Sequence, residues 1–302
     1  MSFGIVTDST SDIPWSFAKE KGIKVVPLTI IIHDKEYKED ENFDYDAYYR
    51  LFEEEKAYFH IPKLKLFSFI PKTSQPSPGE FFQAYESLIE EGVKDILSIH
   101  VTKGLSGTIN SARLAARNIA RKYKDVNIHI IDSKSASFPE VHLIRLALKL
   151  IEKTKKTGEE IASILRQQAL NIKTHILLPT LKYLWKGGRL STTKFLIGNM
   201  LRRKPIITMN EEGELEPVKA VKEVDEGLRE LLNLSTNNLQ NRPKEVSIVY
   251  GTRPDYAEKL VDYIKEWDSS IKIEVARSYG SVLSHLGPES IGLISNFIDI
   301  EI

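Results

Sequence analysis

The first half of the chain alternates between short apolar runs, which predict strands, and longer segments in which apolar residues recur with a helical period. The predicted strands are Phe3–Thr7, Lys24–Ile32, Asp95–Val101 and Asn127–Ile131. The predicted helices are one entered through Asp12-Ile13-Pro14, with Asp12 as its cap, followed by Asp46–Glu55, Pro78–Glu91, Thr108–Lys122 and Leu143–Lys153. Because this alternation is typical of a parallel or mostly parallel sheet covered by helices, the sequence predicts an α/β fold.

A charged stretch that ends in glycine, residues 153–158, separates this half from the second. We therefore predict an N-terminal α/β domain over residues 1–156 and a second domain over residues 157–302, since the length exceeds the usual size of a single core. The second half combines predicted helices and strands with a hairpin, in which Gly213 takes the positive-φ position. The predicted helices are Glu159–Asn171, Glu223–Leu234 and Asp255–Trp267, and the predicted strands are Thr174–Pro179, Ile206–Met209, Glu214–Val221, Glu245–Tyr250 and Ile271–Ala276. The hairpin favours an α+β architecture for the second domain.

Composition narrows the range of partners. The chain carries 42 basic and 42 acidic residues, so no overall field attracts nucleic acid or an anionic membrane. It has no cysteine, which excludes disulfides, thiolate catalysis and cysteine-ligated metals. The N-terminus lacks the pattern of a signal peptide, and no window reaches the roughly 20 apolar residues of a membrane span. We therefore expect a cytoplasmic protein without a membrane span.

Sequence motifs for common cofactors are missing. The chain contains neither a P-loop nor a dinucleotide-binding glycine turn. Its seven histidines are scattered and show no spacing typical of a zinc site. These absences favour a binding site that needs no cofactor and no metal over a catalytic one.

The loop Gly104–Thr108, between a predicted strand and a predicted helix, is the best candidate for an anion site. Backbone N–H groups at the start of a helix lack helical partners, and the helix dipole favours negative charge there. The glycines allow close approach of a ligand, and the hydroxyls of Ser106 and Thr108 can donate hydrogen bonds. Either hydroxyl could instead cap the helix without any ligand.

Three further segments carry polar groups that could reach a ligand. Thr73-Ser74-Gln75 precedes Ser77-Pro78, which has the pattern of a cap and a first helical residue. His285 lies in a loop flanked by glycine and serine. Gly187-Gly188-Arg189 combines a tight turn with a guanidinium, which suits a carboxylate, a partner surface or a solvated surface turn.

Taken together, these segments resemble the DegV family of bacterial fatty-acid-binding proteins. The resemblance covers nearly the whole chain, and its segments follow the family's order. They are Val6-Thr7-Asp8-Ser9-Thr10-Ser11-Asp12-Ile13-Pro14, Thr73–Ser77, Gly104–Thr108 with Ser111-Ala112, Asp132-Ser133-Lys134, Lys186–Ser191, Lys204-Pro205-Ile206 and His285–Pro288. The chain departs from the family at Ser137–Glu140, where glycines are frequent, and at Glu289, where a glycine is usual.

The resemblance implies that two domains hold one long-chain, palmitate-like fatty acid between them, and that the second domain is related to dihydroxyacetone-kinase-like folds. By the family pattern, Thr73 and Ser106 bind the carboxylate and His285 lies near it. The full set of expected fatty-acid-binding residues is Thr73, Ser74, Ser106, Gly107, Thr108 and His285. The resemblance implies no cofactor for this chain, because ATP and Mg²⁺ belong to a separate fatty-acid kinase that phosphorylates the presented acid.

Three basic residues are candidates for a supporting role. Arg189 could assist carboxylate binding or contact a partner. Arg202 and Arg203 form either a docking patch for an acidic face of the kinase or a solvated helix end.

Two other functions stay open at this point. In the first, Ser106 is a nucleophile and His285 its base, acting on a lipid ester or thioester. In the second, the helix start at Thr108 senses a phosphate or a sugar phosphate.

Overall fold

The computed structural model describes residues 2–58, 70–190, 203–236 and 242–298. The strands are β1 (Phe3–Asp8), β2 (Lys24–Val26), β3 (Thr29–Ile32), β4 (Lys35–Lys38), β5 (Lys72–Ser74), β6 (Asp95–His100), β7 (Asn127–Asp132), β8 (Ile172–Leu177), β9 (Lys204–Met209), β10 (Leu215–Val221), β11 (Glu245–Tyr250), β12 (Lys272–Arg277) and β13 (Ile291–Asn296). The helices are α1 (Trp15–Glu20), α2 (Tyr45–Tyr58), α3 (Pro78–Glu90), α4 (Thr108–Lys122), α5 (Phe138–Lys153), α6 (Gly158–Gln168), α7 (Lys182–Lys186), α8 (Val224–Thr236), α9 (Pro254–Trp267) and α10 (Gly280–Leu286). Short 3₁₀ helices cover Ser9–Ser11 and Ala169–Asn171.

The first sheet contains four parallel strands in the order β2-β1-β6-β7. Successive residues of a strand face opposite sides of a sheet, and the core follows this rule. Ile5 and Leu97 pack with residues of α5 and α6, whereas Val6 and Ile96 pack with residues of α3 and α4. The prediction of a parallel sheet flanked by helices is therefore confirmed.

The predicted single strand Lys24–Ile32 is wrong in one respect, because it is divided between two sheets. Pro27 interrupts it, since proline has no N–H to donate to a strand ladder. The part before the proline, β2, joins the parallel sheet, and the part after it, β3, lies in the centre of a three-stranded antiparallel sheet, β4-β3-β5. This small sheet includes Thr73, which pairs with Ile30.

A six-stranded mixed sheet in the order β10-β9-β8-β13-β11-β12 organises the second half of the chain. The predicted hairpin is present as β9 and β10, and Gly213 in its turn has a φ of +80°. Helices α8 and α9 contribute Leu231 and Leu260 to the core beneath this sheet, where Ile248 also lies. Strands and hairpin thus agree with the α+β character expected of the second domain.

Helix α6 is relevant to the division of the chain. Its residues Ile161 and Leu165 belong to the same core as Leu97 of the first sheet, although the sequence assigns them to the second domain. The division at residues 156 and 157 stays a prediction, as does a relation of the second domain to dihydroxyacetone-kinase-like folds.

Candidate functional site

A cavity lies between the parallel sheet and the six-stranded sheet, and both halves of the chain line it. Its volume is about 910 Å³, including its opening to solvent. Most of the accessible wall is apolar, and its apolar side chains come from strands, helices and loops of both halves of the chain. They include Leu28, Val101, Leu105, Ile176, Leu184, Met209, Leu215, Val249, Val282 and Ile294. A cavity with a mainly apolar wall and a few polar groups is typical of a site for a small apolar ligand.

The loop before α4 contributes Ser106 to the cavity wall. The Oγ atom of Ser106 accepts a hydrogen bond from the N–H of Thr108 at 3.2 Å and lies 2.9 Å from Oγ1 of Thr108. The cap residue of α4 is Gly107, and no side chain caps the helix there. The side-chain amide of Gln75 packs directly against Gly107, in the space that a Cβ atom would occupy. The loop that follows β6 and the segment that follows β5 are therefore in direct contact.

Strand β5 brings Thr73 to the same cavity. Oγ1 of Thr73 lies 2.7 Å from Nε2 of His285, a residue on α10 that also lines the cavity. Ser74, the next residue of the strand, is exposed and is absent from the cavity wall, as the alternation of side chains along a strand requires. The pairing of β5 with β3 thus selects one of these two hydroxyls for the cavity.

His285 is a neutral imidazole in this environment. Burial lowers the pKa of His285 to about 3, and the positive charge of Arg189 acts in the same direction. Within the part of the chain that the structure describes, Nδ1 of His285 has no hydrogen-bond partner. This nitrogen faces Gly187, where a Cβ atom would collide with it. We therefore assign the proton to Nε2, from where it is donated to Oγ1 of Thr73.

Arg189 supplies a cation to the cavity wall. Its Nη1 donates to the carbonyl of Gly187 at 2.6 Å, and its Nε donates to the carbonyl of Leu105 at 3.3 Å. Because the guanidinium is half-buried, desolvation lowers the pKa of Arg189. These bonds hold the Gly187-Gly188-Arg189 turn against the loop that carries Ser106.

The structure brings four of the candidate residues to one cavity: Thr73, Ser106, Arg189 and His285. Ser74, Gly107 and Thr108 do not line it, and Arg203 is exposed beside β9. Arg202 lies outside the described residues. The assignment of ligand contacts to any of these residues stays a prediction.

The hydrolase alternative is not supported by this geometry. Ser106 is bonded to Thr108, whereas the imidazole of His285 is bonded to Thr73. A nucleophilic serine requires its hydroxyl within hydrogen-bond reach of the base, and the base requires an orienting partner on its other nitrogen. Neither contact is formed by His285.

The role expected of Asp12 is wrong. Asp12 does not cap α1, whose cap position is Pro14 without a side-chain bond. Its carboxylate is buried and accepts hydrogen bonds from the N–H of Tyr279 at 2.7 Å and from the hydroxyls of Ser278, at 3.4 Å, and Ser137. Asp12 therefore joins the start of the chain to the segment that carries His285.

Asp12 belongs to a set of carboxylates near the cavity whose burial was not predicted from the sequence. The set consists of Asp8, Asp12, Glu39 and Glu140. Burial raises the pKa of Asp12 to about 7 and that of Glu39 to about 8, and it also raises the pKa of Glu140. The sequence does contain one indication of buried carboxylates. The run Asp8-Ser9-Thr10-Ser11-Asp12 places five polar residues at the end of a buried strand, which is unusual for a surface turn.

Residues 2–58, 70–190, 203–236 and 242–298 contain no group of three or more His, Cys, Asp or Glu side chains placed to hold a metal ion. They also contain no helix with the length and apolar character needed to cross a membrane.

The fold and the site define an α/β protein with a mainly apolar cavity between two sheets and with hydroxyls, a neutral imidazole and a guanidinium on its wall. The family model described as "Uncharacterised protein, DegV family" matches residues 2–296, and this chain belongs to the DegV family.

Individual relatives agree with this assignment. A DegV domain-containing protein of Staphylococcus aureus strain MRSA252 is 31% identical over 96% of this chain and 97% of its own length. A crystal structure of a fatty acid binding DegV family protein from Streptococcus agalactiae is similar with a TM-score of 0.83 and 26% identity, covering 98% of this chain and 99% of that one. The Fatty Acid Kinase (Fak) B3 protein of Streptococcus pneumoniae, loaded with linoleic acid, has the same fold, with a TM-score of 0.78, 22% identity and coverage of 98% and 99%.

Proposed function

We propose that this protein binds one long-chain, palmitate-like fatty acid in the cavity between its sheets and presents it to another protein, without turnover of its own. One observation carries the proposal. Thr73, Ser106, His285 and Arg189 meet on the wall of a cavity that is otherwise mainly aliphatic. This combination suits a ligand with a long apolar chain and one acidic end. The Streptococcus agalactiae relative is described as a fatty acid binding protein, which supports the same ligand class.

The apolar wall provides the larger part of the affinity. Burial of about ten methylenes at about 0.8 kcal/mol each contributes roughly 8 kcal/mol before the costs of ordering the chain. A sugar phosphate or free phosphate gains nothing from such a wall, so the cavity favours a fatty acid over the phosphate ligands considered above.

The acidic end of the ligand needs compensation, since an unpaired buried charge is costly. With the Nε2 proton of His285 given to Thr73, the hydroxyl proton of Thr73 is free to be donated to a carboxylate oxygen. The hydroxyl of Ser106 and the charge of Arg189 lie on the same wall. Charge-assisted hydrogen bonds of this kind contribute about 1.5–3 kcal/mol each.

A carboxylate held by hydroxyls keeps an oxygen available for phosphorylation. We therefore infer that the partner is an ATP-dependent fatty-acid kinase in the cytoplasm, which brings its own ATP and Mg²⁺. Arg203, which is exposed, and Arg202 form the proposed contact for an acidic face of this kinase.

Binding is tested with the double variant Thr73→Val and Ser106→Ala. Loss of two charge-assisted bonds should weaken hexadecanoic acid binding by about a hundredfold or more, measured by calorimetry on lipid-free protein. Ser74→Ala is the matched control, because Ser74 is the exposed neighbour of Thr73 and should bind like the unsubstituted protein. Equal affinity of the double variant and the control would contradict the proposed head-group site.

Mass spectrometry of an organic extract of the purified protein tests the ligand class without any substitution. A co-purified fatty acid in about equimolar amount is expected. An extract that contains no acid, together with no binding of added hexadecanoic acid, would overturn the proposed function.

The kinase contact is tested by charge reversal, Arg202→Glu with Arg203→Glu. Formation of acyl phosphate by an added fatty-acid kinase should be lost, whereas hexadecanoic acid binding should be retained. Loss of both activities together, or of neither, would contradict the proposed contact.

A further inference from the structure

Gly292 is a buried glycine in β13, an interior strand of the six-stranded sheet. Glycine weakens a strand, because it has no side chain to pack and loses more backbone freedom on folding than any other residue. Inside a strand it often marks a bulge, a bend or the close approach of another backbone or of a ligand. The surroundings of Gly292 distinguish between these reasons.

Neither the backbone nor the packing around Gly292 requires a glycine. The register of β13 with β8 and with β11 is continuous through this residue, so it forms no bulge, and its φ is not positive. A Cβ atom at this position would lie 3.7 Å from the carbonyl oxygen of His175 and from Cγ1 of Ile176, and 3.9 Å from Cδ1 of Ile294. These are ordinary van der Waals distances, and a methyl group would therefore fit without any shift.

Gly4 of β1 provides the contrasting case of a glycine that packing requires. It is also a buried residue of an interior strand, but a Cβ atom there would lie 2.8 Å from Cδ1 of Leu88 on α3. Gly4 therefore allows a helix to pack closely on the parallel sheet, and it does not line the cavity. No such contact explains the glycine at position 292.

The missing side chain of Gly292 leaves space on the cavity side of the sheet. Successive residues of a strand face opposite sides, and Ser290, Gly292 and Ile294 all line the cavity. The residues between them, Ile291 and Leu293, belong to the core on the other side, beneath α8 and α9. The space that a side chain at position 292 would fill is therefore part of the cavity.

Gly292 also lies between the two ends of the apolar wall. Its direct partners in the sheet are Ile176 on β8 and Val249 on β11, each about 5 Å away, and both line the cavity. Leu105, the residue before Ser106, packs against the apolar cluster that contains Ile176. Val249 belongs instead to the core that includes residues of α5. A ligand chain that extends from Ser106 toward that core would cross β13 at Gly292.

We propose that Gly292 is a specificity-determining residue: the acyl chain crosses β13 in the space that a side chain would occupy, and the absence of that side chain sets the longest acyl chain that the cavity holds. The inference rests on the proposed function, since it concerns the chain of the bound acid. It explains why an interior strand contains a weakening residue where a methyl group would fit.

The experiment measures the binding of straight-chain saturated acids, from octanoic to octadecanoic acid, to full-length, lipid-free protein. It compares the unsubstituted protein with Gly292→Ala and Gly292→Val. In the unsubstituted protein, affinity should rise about fourfold with each added methylene up to the long acids. In Gly292→Val this rise should stop at a shorter acid, so that hexadecanoic acid binds about tenfold more weakly or worse while the shortest acids bind as before. Gly292→Ala should show the same change to a smaller extent.

The stability of the lipid-free variants separates a filled cavity from a damaged fold. The urea midpoint of Gly292→Ala should equal or exceed that of the unsubstituted protein, because the methyl group fits and the strand loses a glycine. Its affinity for hexadecanoic acid should nevertheless fall. A structural defect lowers stability and affinity together and cannot produce this combination. Gly292→Ala also decides the question if Gly292→Val does not fold.

Gly4→Ala is the matched control, since it adds the same methyl group to an interior strand of the other sheet, away from the cavity. The contact with Leu88 should lower its urea midpoint. The dependence of affinity on chain length should stay that of the unsubstituted protein.

Unchanged affinities in both Gly292 variants, or an equal loss for short and long acids, would overturn the inference. Failure of the unsubstituted protein to bind any of the acids would overturn the proposed function and this inference with it. The two failures are therefore distinguishable in one set of titrations.

Discussion

His142 and His285 each lie next to a hydroxyl, but of these two only His285 lines the cavity. Nε2 of His142 lies 3.1 Å from Oγ of Ser247, and its Nδ1 lies 3.1 Å from a carboxylate oxygen of Glu245. This order of hydroxyl, imidazole and carboxylate is that of a hydrolase triad. Ser247 is 0% exposed and does not line the cavity. Among the described residues His285 has no carboxylate partner, yet it lines the cavity beside Thr73.

The difference shows that the role of a histidine–hydroxyl pair depends on whether a ligand can reach it. The His142 cluster connects α5 to strands β11 and β13, since Asn296 also donates to Glu245 at 3.0 Å. The hydrogen bond with His142 is the main cause that lowers the pKa of Glu245, so the cluster contains a stabilised carboxylate. The pair of Thr73 and His285 differs from this cluster, because burial without a neighbouring carboxylate lowers the pKa of His285 and keeps its imidazole neutral. A neutral imidazole can orient Thr73 for an anion without binding the anion itself.

The largest expected effect is a loss of stability on replacing His142, the buried histidine that does not line the cavity. His142→Leu deletes the contacts to Ser247 and Glu245 and leaves buried polar groups without partners. We expect the free energy of unfolding to fall by about 2–4 kcal/mol, measured by urea denaturation. Affinity for hexadecanoic acid, measured on the folded fraction, should stay unchanged. A loss of affinity without a loss of stability would contradict the claim that His142 stabilises the fold and takes no part in binding.

Glu39, a buried glutamate that contacts α10, extends the contrast to pH. Glu39 accepts only from neutral donors, Ser9 and Ser281, and burial raises its pKa to about 8. The folded state therefore keeps a proton that the unfolded state has already released above about pH 4.5. Glu39 thus contributes a fall in stability as the pH rises from about 4.5 to about 8. Glu39→Gln removes this contribution, whereas the similar contributions of Asp12 and Glu140 remain.

The measurement is urea denaturation of the unsubstituted protein and of Glu39→Gln across this range. The variant should be close to the unsubstituted protein at pH 5, and its relative stability should increase by up to about 1.4 kcal/mol for each pH unit toward pH 7. A constant difference between the two proteins at all pH values would show that Glu39 does not titrate in this window.

The smallest of the three effects concerns the cavity histidine. His285→Leu keeps the apolar contacts of the ring and removes the donor to Thr73. Hexadecanoic acid should bind about 10–30-fold more weakly, because Thr73 is no longer oriented toward the carboxylate. The free energy of unfolding should change little, since the imidazole is already neutral and its Nδ1 is unpaired within the described residues. A stability loss as large as that of His142→Leu would remove the distinction between the two sites.

Local signals in the sequence were sufficient where neighbouring residues determine the structure. Ser77, Pro78 and Glu80 form the expected cap of α3, in which the Ser77 and Glu80 side chains bond reciprocally to the backbone. The bounds of α4 and β11 agree with the predicted segments, because each begins and ends at a clear change of hydrophobic pattern. The turn at Gly213 could also be predicted, because a positive φ at a hairpin turn depends on the residues of the turn itself.

Contacts between residues far apart in the sequence could not be predicted from such local patterns. Strand β13 in the middle of the second sheet was missed, although Ile291, Leu293 and Ile294 are apolar, because only a four-residue turn separates it from the short helix α10. Asp12 looked like a helix cap, since a cap and a buried acceptor for Tyr279 have the same local pattern. The cavity residues Thr73 and Ser106 could be named from the family resemblance, but the partner of Thr73 lies 212 residues further along the chain.

A structure of the protein with bound hexadecanoic acid tests the central claim most directly. The account predicts one acid in the cavity, with a carboxylate oxygen within about 3 Å of the hydroxyls of both Thr73 and Ser106 and with its chain against the aliphatic wall. A carboxylate placed away from these two hydroxyls, or an acid bound outside the cavity, would contradict it.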